Sequence, residues 1–254
     1  MKDPPLKAQA GSELVAFIDK IQPSRFWKMK PIHSEFADPC RNAKIHKILP
    51  HIYFPKAKYS LWVDGSVQIK FQGSLEELAE IYLKERDMAV FAHQTRNCIY
   101  EEADACIKGG KDDPGAIYRQ MMHYKYENYP IGVGLAECSV ILRRHTEKVR
   151  LFNEVWWNEI KTHSRRDQLS FNYVAWKLSV RYALFPGCLP DNDLFFRHEH
   201  VAVGQFPIPR NLDNIAAEIP SSPVRKVNLM RRAERNIRSF RKSLFKKLEN
   251  GKRA

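Results

Sequence analysis

Tyr59-Ser60-Leu61-Trp62-Val63-Asp64-Gly65-Ser66 decides the reading of this chain. An apolar run of strand length stops abruptly on a carboxylate, and a glycine and a small hydroxyl residue follow. Such a carboxylate, at the end of a strand, can hold a divalent cation against a diphosphate. Gly65 lets a ligand approach the backbone closely. Read alone, Asp-Gly-Ser is equally an ordinary turn, because aspartate and glycine are the common turn formers. The choice between the two depends on the surrounding sequence.

Working outward, apolar runs alternate with amphipathic ones. Leu14–Asp19 reads as a strand ending on Asp19, and Asn42–His51 as a helix stopped near Pro50. Val67–Phe71 follows as a strand. Ser74 with Glu77 three residues on forms a capping box, so a helix is predicted from Leu75 to Arg86. Met88–Ala92, Cys138–Leu142 and Ala183–Phe185 read as strands. Ala116–Tyr126, Leu151–Lys161 and Asp167–Leu178 read as helices. This alternation predicts an α/β fold with a mostly parallel sheet flanked by helices. Ligands of such sheets bind beyond the carboxyl ends of the strands, which puts Asp19, Asp64 and His93 on the working edge.

The net charge of +13 is unevenly distributed. Residues 224–254 hold twelve Lys or Arg against two Glu, so they carry +10 of it and leave +3 for residues 1–223. A nucleic-acid enzyme would show basic residues across its working face, so nucleic acid is an unlikely partner. Met230, Ala233, Ile237, Phe240, Leu244 and Leu248 recur at helical spacing among the basic residues, which predicts a basic amphipathic helix suited to an anionic membrane surface; the alternatives are a helix docked on the body or a disordered basic tail. Three parts are expected: a domain over 1–206, a linker over 207–223 and this tail. No window of eighteen apolar residues occurs, and no apolar segment follows the first six residues, so neither a span nor a signal peptide is expected. Five cysteines without a C-x-x-C pair suit a reducing compartment. The expected location is cytoplasmic, peripheral on the inner membrane face.

Several other groups could carry chemistry. Arg41, Lys44 and Lys47 fall on one helical face and could meet a diphosphate, or form a solvated basic face. His93, Arg96, Tyr100, Glu101 and Glu102 form a dense polar cluster after a strand. Of the two adjacent glutamates, at most one can face a site. Trp156 and Trp157 could stack on a sugar, or lie half in the core and half at the surface.

The run Arg41–His51, then YSLWVDGS, resembles a glycosyltransferase family once known only as a domain of unknown function, with plant mucilage-related hexosyltransferases among its members. The resemblance continues through FAHQTRNCIYEEADAC (91–106), GLAECSVILRRH (134–145), LFNEVWWNEI (151–160) and RDQLSFNYVAWKL (166–178), all in one order. It implies a GT-A-like fold, a nucleotide-sugar donor (a UDP-sugar by preference) and a glycan or lipid-linked acceptor. It also implies a metal ion, Mn2+ or Mg2+, on Asp64. Where the family pattern has a second carboxylate this chain has Ser66, so His198 or His200 is expected to complete the metal site; the alternative is two surface histidines. Asp167 would orient sugar hydroxyls and Gln168 would face the anomeric carbon, which implies retention of configuration. If the reaction inverts, Asp167 or Glu137 is the base. Asp167 is otherwise a helix cap. The cluster from His93 to Glu102 would recognise donor sugar or acceptor.

The family opens with a strand and a Gly-Gly-Tyr-Asp-like turn, of which Asp3-Pro4-Pro5 looks like the remainder, so the usual first strand is expected to be missing. With the absent second carboxylate, this leaves a non-catalytic nucleotide-sugar or glycan binding protein as the alternative function. A lipid hydrolase is a third reading, because a ceramide-cleaving activity has been proposed within the family. The chain has neither a G-x-S-x-G elbow nor an H-E-x-x-H site.

Overall fold

A computed structural model of the chain describes residues 12–32, 34–199 and 206. The chain divides after Arg210, and all described residues lie before that division. The expected linker 207–223, the tail 224–254, His200 and the turn at Asp3-Pro4-Pro5 lie outside the described residues.

The elements run β1 (Val15–Ile18), β2 (Lys28–Pro31), α1 (Pro39–Ile48), α2 (Pro50–Tyr53), β3 (Tyr59–Val63), β4 (Val67–Ile69), α3 (Leu75–Tyr82), β5 (Met88–Ala92), α4 (Ile99–Lys108) and α5 (Pro114–Tyr126). Then come β6 (Ala136–Arg144), α6 (Glu147–Thr162), α7 (Gln168–Lys177), β7 (Ala183–Leu184) and β8 (Phe195–Arg197). The fold is mixed α/β. Local chemistry explains the helix starts. The Asp38 carboxylate accepts the Cys40 N–H and Pro39 opens α1. The expected capping box of Ser74 and Glu77 is formed at α3. Asp113 and Thr146 cap α5 and α6.

The expectation of a mostly parallel sheet is corrected. The four-stranded sheet has the order β3-β6-β5-β7, and β6 is antiparallel to both β3 and β5. Only β5 with β7, and the separate pair β1 with β2, run parallel. β4 and β8 form an antiparallel pair. A strand buried on both faces reads as a continuous apolar run whichever way it points, so the sequence pattern carries no direction. β6 is such a strand. Val140 and Leu142 join Leu78, Leu83, Phe91, Phe185 and Phe195 in the core on one side. Arg143 points the other way, toward α1 and Trp156 of α6.

Four elements are additional to the predicted ones: β2, α2, α4 and β8; a separate short helix starts at Pro50, where the first helix was expected to stop. Trp156 and Trp157 are both core residues, 0% and 1% exposed, so neither has a surface half. Among the described residues no helix is long and apolar enough to cross a membrane.

The pairing of β5 with β6 shifts register between Val90 and Phe91. Val90 faces Ile141 but Phe91 faces Glu137, so Cys138, Ser139 and Val140 are extra on the β6 side. There the Asp64 N–H donates to the Ser139 carbonyl at 2.9 Å. The antiparallel pairing brings the start of β6 to the same edge as the ends of β3 and β5.

Candidate active site

The edge is organised by two carboxylates and two lysines. Asp64 follows the last residue of β3, and its own carbonyl accepts the Val67 N–H at 2.8 Å, closing the turn through Gly65 and Ser66. One helical turn separates Lys44 from Lys47 on α1, and both ammonium groups reach Asp167, at 2.8 Å to Oδ1 and 2.7 Å to Oδ2. Lys47 also lies 3.0 Å from Asp64 Oδ1. The Trp62 indole N–H donates to that same oxygen at 2.7 Å. These bonds engage Oδ1 and leave Oδ2 of Asp64, on a side chain 36% exposed, without a hydrogen bond among the described residues.

Burial alone would push Asp167 toward its neutral form. Lys44 and Lys47, with Arg166, overrule it and hold the carboxyl well below the usual carboxylate range. Burial likewise opposes the charge on Lys47, and Asp167 and Asp64 override it, raising that ammonium well above its ordinary value. Asp167 is therefore a fixed anion and not a proton acceptor. Its backbone carbonyl accepts the Trp156 indole N–H at 3.1 Å, and it precedes α7 without a side-chain capping bond.

Glu137 is the carboxylate held by neutral groups. Its Oε1 accepts the Ser139 hydroxyl at 2.6 Å and N–H at 3.2 Å, and its Oε2 lies 3.4 Å from Gln168 Nε2. Gln168 also donates to the Ala136 carbonyl at 3.4 Å. Asn172, one turn along α7, accepts the Ala136 N–H at 2.8 Å and so fixes the beginning of β6 to that helix.

His93 follows β5. Its Nδ1 accepts from the backbone N–H groups of Thr95 and Arg96. Burial and then the Arg96 charge push its pKa down, while Glu102 and Glu137 pull the other way. Arg96 donates to Glu102 at 2.6 Å. Of the two adjacent glutamates, Glu102 is buried and Glu101 exposed, as the helical spacing requires. Tyr100 donates its hydroxyl to the Tyr129 carbonyl, turning it to α4 and the 129 loop.

The other predicted residues are placed as follows. The Arg41 donors are taken by the carbonyls of Ile160 and His163 and by Asp38, so Arg41 ties α1 to the end of α6. Asp19 is exposed and caps its own turn through the Lys20 N–H. His198 lies beside Ser66, with its N–H on the Ser66 carbonyl at 2.8 Å and its Nε2 3.2 Å from Gln68 Oε1. Trp62, Ser139, Asn172 and Arg166 escaped the sequence reading. The only signal for Trp62 was its place two residues before Asp64, on the same side of a strand.

The fit to a divalent cation is narrow. Among the described residues no three His, Cys, Asp or Glu side chains are arranged to hold one. The partly exposed carboxylate of Asp64 suits a cation only when a diphosphate supplies the remaining oxygen ligands.

The family described as "TOD1/MUCI70, glycosyltransferase-like domain" matches residues 13–200. The chain is 30% identical over 201 residues to the "Probable hexosyltransferase MUCI70" of Arabidopsis thaliana, covering 72% of this chain and 35% of that protein. It is also 30% identical over 159 residues to the "Alkaline ceramidase TOD1" of the same plant, covering 59% of this chain and 34% of that protein. The chain thus spans about a third of the length of these curated relatives. No solved structure matches it. By a match that takes in every described element from β1 to β8, this chain belongs to the TOD1/MUCI70 glycosyltransferase-like family.

Proposed function

We propose that the chain is a glycosyltransferase that moves a hexose-type sugar from a UDP-sugar to a glycan or lipid-linked acceptor. One observation carries this reading: Asp64 stands at a strand end with Oδ1 committed to Lys47 and Trp62 on a side chain 36% exposed, and Lys47 joins it to Asp167, the residue before Gln168. A divalent cation, when bound with the donor, would neutralise the departing diphosphate. Asp64 Oδ2 would meet it, with Ser66 and His198 or His200 beside it. Lys44 and Lys47 act one step back. They hold Asp167 and Asp64 in fixed places, a form of electrostatic preorganisation.

In this reading Asp167 orients rather than accepts a proton, because two ammonium groups already neutralise it. Gln168 and Glu137 are left as the groups that meet the reacting sugar, and Gln168 at the anomeric carbon supports retention. His93 and Arg96 border the sugar or acceptor side. The tail 224–254 would place the enzyme on the inner face of a cytoplasmic membrane, close to lipid-linked acceptors.

The name of the second relative raises hydrolysis. The described residues contain one Ser–His pair, Ser60 Oγ and His145 Nε2 at 2.8 Å. Burial, then Arg143 and His51, push that imidazole down to about 4, and its Nδ1 has no hydrogen-bond partner to orient it. A weak base without an orienting group is poorly suited to activate a serine, which favours transfer over hydrolysis.

The test is turnover of a panel of UDP-sugars with Mn2+ or Mg2+, with and without chelator, on wild type and Asp64→Ala. The expected result is metal-dependent turnover that Asp64→Ala abolishes with the circular dichroism unchanged. Undiminished turnover in that variant would sink the assignment of Asp64.

A further inference from the structure

We infer that Trp62 is a positioning residue, which makes Asp64 a one-oxygen ligand by holding Oδ1 through its indole N–H. This deepens the proposed function and rests on Asp64 being the donor-binding carboxylate.

The argument begins with strand geometry. Side chains two residues apart on a strand share a face, so Trp62 and Asp64 project to the same side of the β3 line. The indole is long enough to reach forward along that face, and its N–H meets Oδ1 at 2.7 Å. The Lys47 ammonium meets the same atom at 3.0 Å from α1. Two donors from different elements converge on one oxygen, and the other oxygen takes part in neither bond. A carboxylate at the mobile start of a turn would ordinarily rotate about its terminal torsion, which is broad. Here rotation would break two hydrogen bonds to a charged acceptor, each stronger than a neutral one.

The two donors are not equivalent. Lys47 is shared with Asp167 at 2.7 Å, so its ammonium is divided between the two carboxylates. The Trp62 N–H serves Asp64 alone. It is a single rigid donor with no charge, so it fixes direction without adding a cation that a diphosphate would have to share. A tryptophan placed only to fill the sheet needs some partner for its N–H, and a carbonyl or water serves equally well. The use of the strand-end carboxylate of Asp64, partly exposed at this edge, is what points to positioning.

The consequence for the ligand is definite. A carboxylate that presents one oxygen cannot clasp a cation with both. Whatever binds at Asp64 must bring most of its own oxygen ligands, as a nucleoside diphosphate does. UDP is therefore the probe.

The bond can be read without activity. The full chain has five tryptophans, so an amide-region 15N spectrum of labelled protein holds five indole signals. Assigned through its own backbone connectivity, the Trp62 indole proton should lie downfield of an indole bonded to a neutral acceptor. Asp64→Asn should move it upfield while the other four stay in place. An unmoved Trp62 signal overturns the inference. This arm needs no change at Trp62, so it stands even if a Trp62 variant folds poorly.

The second arm measures UDP affinity calorimetrically, with Mg2+ present, for Trp62→Phe, Asp64→Ala and the double variant. Loss of one charge-assisted bond predicts about tenfold weaker binding for Trp62→Phe. The double variant should be no weaker than Asp64→Ala, since both act through one atom. Loss in Asp64→Ala with none in Trp62→Phe overturns the positioning role and leaves the donor reading intact. No loss in either overturns the donor reading, and the indole shift then reports a bond that serves folding alone.

Discussion

Lys47 and Asp167 form an ion pair at 2.7 Å with each side chain only 5% exposed, and this pair links the first long helix to the start of α7. Burying two charges is costly, and the attraction offsets that cost only while both are present. Lys47→Met should therefore destabilise the chain by about 3 kcal/mol, the low end for a broken buried pair, because Lys44 still serves Asp167. Adding Asp167→Asn to it should recover part of the loss. Urea unfolding of both single variants and the double checks this, and strictly additive losses would show that the pair is not coupled.

Acid should weaken the fold in two separate windows. The folded His145 imidazole titrates near 4, below its ordinary 6.5, so its contribution is present above pH 6.5 and lost as pH falls toward 4. That displacement corresponds to about 3 kcal/mol at most. His93, His123 and His163 are displaced in the same direction and add to the slope. Asp167 is displaced downward as a carboxylate, so its contribution is present above about pH 4 and falls away only below it. Thermal unfolding followed across pH should show His145→Gln flattening the upper window and Asp167→Asn the lower. Identical profiles for the two variants would contradict the assignment.

The sequence made the site edge legible more readily than the sheet. Asp64 is visible because an apolar strand ends on it. The direction of β6 is not visible, because Val140, Ile141, Leu142 and Arg143 are all buried and nothing alternates. β2 hides in Lys-Met-Lys-Pro, whose two charges and proline mask a strand, although Lys30 is partly buried over the Phe54 ring. α4 hides because Cys98 precedes it without a side-chain cap, so the start signal is missing. The lysines were legible as one helical face, but their target was not. That two of them turn inward to a carboxylate 120 residues or more away, while Arg41 binds the end of α6, depends on how α1 packs.

The tail invites a direct binding test. Twelve Lys or Arg in residues 224–254 accompany an apolar stripe at helical spacing. Each basic residue near an anionic bilayer contributes about 1 kcal/mol, and salt screens it. Sedimentation with vesicles containing phosphatidylserine should therefore capture the full chain at low salt, release it at high salt and fail for a chain ending at residue 223. A chain that ignores such vesicles at low salt would exclude membrane attachment through the tail.

The stereochemistry of transfer follows from which group meets the anomeric carbon. Asp167 is neutralised by Lys44 and Lys47, which hold its carboxyl well below the usual carboxylate range and make it a poor acceptor for the proton of the incoming hydroxyl. The remaining groups at that place are Gln168 and Glu137, 3.4 Å apart. If the Gln168 amide faces the sugar, the product keeps the donor configuration. Gln168→Ala should then lower kcat about a hundredfold with little change in donor KM, as for a group that acts mainly in the transition state. Glu137→Gln should be the milder change, since the amide oxygen still accepts from Ser139 and Gln168 still donates to the Ala136 carbonyl. Proton NMR of the transferred glycoside reads the outcome directly from the anomeric coupling constant. An inverted product, with Glu137→Gln more damaging than Gln168→Ala, would transfer the catalytic role to Glu137 as the base that deprotonates the acceptor hydroxyl.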